Sequence, residues 1–193
     1  MMTGGRLIVS ALLLALVQIG FLGWMIAGRA AILREGREVL LKVEPVDPRD
    51  LLRGDYVLLG YEISRIPVKL IANVPVGETT TQDGPLVVRL KRDADGYWRP
   101  ISAWLGKAGT AAAPDEVDIV GRIRAGWNLT GEAPVAPDYG IERFYLPEGE
   151  GKAIENDMRV RPFGIRAAIA KDGTAQIKAL MDGDKMLYAE PLY

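Results

Sequence analysis

The side chains best placed to do acid–base chemistry in this chain of 193 residues are the carboxylates Asp47, Asp55 and Glu148. A carboxyl group exchanges protons usefully near neutrality only when burial in a pocket lifts its pKa, so each is a candidate whose test is its surroundings. A second constellation is the acidic turn Pro147, Glu148, Gly149, Glu150 and Gly151, with Glu142 and Glu155 close by in sequence. Carboxylates on a flexible loop are the ligands calcium prefers. EF-hand spacing is absent, however, and a solvated turn feeding a helix, with Glu150 at its positive end, accounts for the same residues. No metal or cofactor is assigned on this pattern. The third constellation is aromatic: Tyr97, Trp98 and Trp104 in "GYWRPISAW", with Trp127 beyond, could line a groove for an envelope ligand such as a glycan. Their near period-two spacing fits a packed strand equally well, and exposure decides between the two.

Composition removes most other chemistry. The chain has no histidine and no cysteine, which excludes thiolate metal cages, imidazole proton shuttles and the Ser-His-Asp and Cys-His machineries. Ser10, Ser64 and Ser102 are the only serines. The stretch "EPVDPRDLLRGDYVLL" resembles the nucleophile region of membrane-anchored serine/lysine proteases, but Val43 and Glu44 stand about where that region's Ser and Met belong. No hydroxyl activated by a neighbouring lysine can be assembled there. With 24 basic and 25 acidic residues, no net field draws in phosphate backbones, and no nucleic-acid partner is expected.

The elements that must position these residues begin with an uncharged run that starts at Leu7 and ends at Ala27, "LIVSALLLALVQIGFLGWMIA", with Ser10 and Gln18 its only polar side chains. At about 1.5 Å per residue such a helix spans roughly 30 Å, the hydrocarbon thickness of a bilayer. A transmembrane anchor over residues 1–28 is expected, its lipid contact running from Leu7 to Ala27 and Trp24 placed at one interface. The run is longer than the apolar segment of a cleaved signal peptide, although Gly28 and Ala30 would satisfy the small-residue rule for cleavage. Arg29, Arg34, Arg37 and Lys42 outnumber Arg6 on the amino-terminal side, so the basic-residue count alone favours a cytoplasmic domain. A long translocated domain is nevertheless moved largely regardless of such charges.

Residues 29–38 read as a short helical stalk, and 39–193 as one β-rich domain. Apolar runs bounded by Gly, Pro, Asp or Asn recur at 56–63, 68–74, 86–91, 97–104, 117–125, 141–146, 159–170 and 175–181. "DADG", "KDGT" and "MDGD" are hairpin turns, in which Asp starts the turn and Gly supplies positive φ. The spacing predicts a mainly β fold, an antiparallel sandwich or partly closed barrel preceded by one N-terminal transmembrane helix. Residues 106–115 read as a loop and 149–158 as a helix.

In "GDYVLLGYEI" a period of two sets Asp55, Val57, Leu59, Tyr61 and Ile63 on one face and Tyr56, Leu58 and Gly60 on the other. Both faces are apolar, as in a strand covered on both sides, and each tyrosine hydroxyl then needs a partner. A scaffold role accounts for every residue here. Gly54, Asp55, Tyr56, Leu59 and Tyr61 also reproduce the pattern that names the GDYXXLXY family of bacterial membrane-anchored proteins. The chain resembles that family over nearly its whole length, through "VEPVDPRDLLRGDY" and through "GIERFYLPEGEGKAIE", where Phe144, Pro147, Glu148, Gly149, Glu150 and Gly151 form a second block. The resemblance implies an N-terminal anchor, a β domain outside the cytoplasmic membrane, and a multipass membrane protein as partner. The leading expectation is a non-enzymatic accessory or interaction protein. The alternatives are a binding module for an envelope ligand or cation, and a carboxylate-dependent enzyme.

Overall fold

The computed structural model describes residues 4–44, 56–74, 83–124, 133–146, 154, 157 and 161–191. One long helix, α1 (Gly4–Glu35), precedes ten strands: β1 (Arg37–Glu44), β2 (Tyr56–Leu58), β3 (Gly60–Tyr61), β4 (Gly84–Arg92), β5 (Trp98–Leu105), β6 (Glu116–Ile123), β7 (Arg143–Tyr145), β8 (Phe163–Ile169), β9 (Ala175–Asp182) and β10 (Lys185–Ala189). They form a five-stranded sheet in the order β10-β9-β8-β1-β3, a three-stranded sheet β5-β4-β6 and a two-stranded pair β2-β7. Every pairing between named strands is antiparallel. The sheets do not close into a barrel; they enclose one core in a sandwich-like arrangement, with side chains from all three.

Alternation explains that core. In β1 Val39, Leu41 and Val43 point inward, and in β6 Val117, Ile119 and Ile123 do the same, with more exposed residues between them. β8, which lies between β9 and β1, is buried at every position except the half-buried Arg166. Both of its faces are covered, and the end of α1 packs against it and β9.

Two sequence expectations are corrected, and one strand was not expected. Residues 68–74 do not form a strand: Val68–Leu70 is a 3₁₀ turn, and Ile71 makes only a single bridge to Ala103. The amide of Leu70 bonds back to Pro67 O and that of Ile71 to Val68 O, both at 2.9 Å, so this stretch satisfies itself locally rather than in a ladder. Residues 56–63 are two short strands and a 3₁₀ turn at Glu62–Ser64, not one strand. β10, unforeseen, is a partly exposed edge strand without inward–outward alternation.

The segment after the apolar run, read as a short helical stalk, is helical as far as Glu35 and packs against the sheet. α1 continues unbroken to Glu35, and Gly36 alone separates it from β1. The Gly36 amide donates to Ile32 O at 2.8 Å, and a Cβ there would lie 2.5 Å from that same carbonyl, so the turn needs glycine. Ala30 and Leu33 are buried where α1 meets the sheet, and Arg29 pairs with Glu190 at 3.4 Å. The apolar part of α1, by contrast, is wholly uncovered: the most apolar 18-residue window of the span Ile8–Glu35 has a mean hydropathy of 2.1 and is 0% buried. It is long and apolar enough to cross a bilayer, and it enters the β domain without a hinge.

Candidate functional site

The described part of the "GDYXXLXY" stretch is a clasp between sheets. β2 pairs with β7, matching Tyr56 to Tyr145, and β3 pairs with β1, so the chain passes from one sheet to the other at Leu59. Leu59 is buried, and its amide donates to Glu142 O at 2.9 Å. Tyr61 is fully buried and its hydroxyl donates to Ile141 O at 2.5 Å. In return the buried Tyr139 hydroxyl donates to Ile63 O at 2.9 Å. Two amide–carbonyl bonds of 2.8 Å between Ile66 and Val135 extend the seam. Burial, reinforced by Glu142, raises the pKa of both phenols above the ordinary tyrosine range. Each hydroxyl is therefore a fixed donor. Gly54 and Asp55 lie outside the described residues, as do Asp47, Glu148, Pro147, Gly149, Glu150, Gly151 and Glu155. Of the second block, Phe144 is described, and it is a core residue. Residues 149–158 are represented by Ile154 and Asp157, both helical. Among the described residues no group of three or more His, Cys, Asp or Glu is placed to hold a metal.

The aromatic constellation lies mostly inward. Trp98 is 7% exposed, a core residue, with the Arg37 guanidinium 5.0 Å over its ring. Trp104 is half-buried beneath Arg89 at 4.8 Å, and Tyr97 is half-buried beside Gly164, its phenol raised by burial and by Asp95 and Asp184. Trp98 thus belongs to packing rather than to an open surface, and Trp127 lies outside the described residues.

A polar cleft that sequence reasoning missed opens where α1 meets the domain. It holds about 450 Å³ and is lined by Arg29, Arg124, Arg143, Asp138, Glu142 and Glu190 among others. Asp138 accepts from Arg124 at 3.0 Å and from the Gly140 amide at 3.1 Å. Partial burial raises its pKa, but these bonds and one with Glu142 outweigh that and leave it below the usual carboxylate range. Burial raises Glu142, with Asp138 adding to the effect, while the Tyr139 amide, donating at 2.6 Å, opposes it. Of the two, Glu142 is therefore the first to take up a proton as pH falls. The cleft suits a small ligand bearing both anionic and cationic groups. Its residues come from α1, from just past β6, from the segment around Tyr139 and β7, from β9 and from the chain after β10, so no local pattern in the sequence announces it.

A family model described as GDYXXLXY protein matches residues 18–180. The chain belongs to the GDYXXLXY family. No curated protein and no solved structure matches it. The match begins inside α1 and ends in β9, so it takes in part of the apolar helix, the clasp and the cleft's central segment. In this GDYXXLXY protein, Leu59 and Tyr61 of the naming motif are buried and hydrogen-bonded to the segment that presents Glu142 to the cleft. The family and the uncovered apolar helix together fit a membrane-anchored protein.

Proposed function

We propose that this GDYXXLXY protein is a non-enzymatic accessory subunit of the cytoplasmic membrane, anchored by α1, with its β domain on the periplasmic face against a multipass membrane protein. The observation that carries the reading is the hinge-free junction at Gly36. With Ala30 and Leu33 docked on the sheet, the domain is held at the membrane surface in a fixed attitude, as a subunit that must meet the exposed face of a neighbour requires. The absence of histidine and cysteine from the sequence supports a non-enzymatic role. The basic-residue count that favours the opposite orientation loses weight because two of its members belong to the fold. Arg29 pairs with Glu190, and Arg37 donates to Glu116 O at 3.0 Å while covering Trp98.

Affinity purification of the tagged full-length chain from mild detergent is expected to recover a multipass membrane protein in stoichiometric amount. Recovery of the chain alone from native membranes, with no such partner in several detergents, would count against the accessory role.

A further inference from the structure

We propose that α1 pairs with α1 of a second copy of this chain through Gln18. The proposal rests on reading α1 as membrane-spanning, and it is independent of the multipass partner. Gln18 lies one residue from the middle of the run that begins at Leu7 and ends at Ala27, which puts its amide at the centre of the hydrocarbon. Its side chain is exposed and, among the described residues, has no hydrogen-bond partner; Ser10, the other polar residue of the run, has one. A primary amide in hydrocarbon carries two donors and one acceptor that lipid tails cannot satisfy.

The amide is self-complementary, and this favours a second copy over any other occupant. Two copies inserted in the same sense bring Gln18 to the same depth by symmetry, where the two amides exchange reciprocal N–H to O bonds. The surrounding face permits the approach: Ala11, Leu14, Ala15, Phe21, Leu22 and Met25 fall within about 60° of Gln18 at roughly 100° per residue. The alanines allow the helix backbones to come close on the N-terminal side of the amide. The residues that dock the β domain, Leu33 about 60° and Ala30 about 120° from Gln18, lie roughly 18 Å or more farther along the axis, and at the level of Gln18 the helix is uncovered.

The absence of native cysteine makes the test clean. Single-cysteine full-length chains, Ala11→Cys and Leu22→Cys on the Gln18 face and Leu16→Cys about 160° away, are oxidised in membranes with copper phenanthroline. The expected result is disulfide-linked dimer at Ala11 and Leu22, little at Leu16, and a yield lowered about threefold to tenfold when Gln18→Leu is added. Even yields around the helix, yields unchanged by Gln18→Leu, or cross-linking of the Gln18 face to a different membrane protein would overturn the pairing. Release of the chain from membranes by alkaline carbonate would instead overturn the anchor on which it rests.

Discussion

Tyr61→Ala is expected to cost the domain about 3–5 kcal/mol, and Tyr61→Phe about 1–3 kcal/mol, as read from denaturant unfolding of the full-length chain in detergent. The two values separate two jobs of one side chain. The ring fills the core where the five-stranded sheet receives β3, and it is fully buried. Truncation there leaves a cavity whose lining loses its contacts outright. The hydroxyl acts more narrowly, satisfying Ile141 O at 2.5 Å, and the phenylalanine variant abandons that carbonyl in a site sealed from water. Since Tyr139 makes the reciprocal bond to Ile63 O, Tyr61→Phe and Tyr139→Phe should be non-additive, the double variant losing less than the sum of the singles. A phenylalanine variant as stable as the parent would show that the clasp contributes nothing beyond its rings.

The second large effect is expected at Arg89. It is 4% exposed and is the only buried charged residue among the described ones. Its guanidinium forks onto Asp118, Nε to Oδ1 at 2.7 Å and Nη2 to Oδ2 at 2.9 Å. It then reaches the loop between β5 and β6, donating to Thr110 O at 2.6 Å, Thr110 Oγ1 at 2.8 Å and Ala111 O at 3.2 Å. The indole of Trp104 lies under it, and Gly109 sits so close that a Cβ would lie 2.8 Å from the Trp104 Nε1. Arg89→Met keeps much of the volume but removes every donor, leaving Asp118 and two loop carbonyls unpaired, at a cost of about 3 kcal/mol. Because the loop loses its tie to the sheet, trypsin should cut the variant at Lys107 well before the rest of the domain. Arg89→Lys should recover little, since an ammonium cannot reproduce the fork. Unchanged proteolysis and stability in Arg89→Met would refute the assignment.

Arg89 also illustrates what the sequence could and could not convey. Within "LVVRLKR" an arginine reads as the outward member of an alternating strand, because its partners lie 21 to 29 residues away. Strands β6 and β9 were legible within a residue or two, since a buried face imposes period two on much of their length. The 3₁₀ turn at Val68–Leu70 was not: its apolar residues imitate a strand, while Pro67 and local carbonyls settle its backbone. β10 was missed because an exposed edge strand needs no alternation.

The length and apolarity of α1 made it readable, but its end was not. Ala30 and Leu33 look like any helical pair until the sheet they bury against is assembled. The tyrosines of the naming motif read as scaffold whose hydroxyls need partners, yet nothing local points to Ile141 or to Tyr139's return bond. The cleft was wholly illegible, since tertiary folding alone gathers Arg29, Arg124, Glu142 and Glu190.

A topology reporter fused after Tyr193 tests most directly the claim that this chain is a membrane-anchored protein presenting its β domain to the periplasm. The fusion should resist extraction by alkaline carbonate, and alkaline phosphatase at that position should be active while a fluorescent protein exported in unfolded form stays dark. A bright fluorescent fusion with inactive phosphatase would place the domain in the cytoplasm, and a fusion released as a soluble protein would remove the anchor; either contradicts the account.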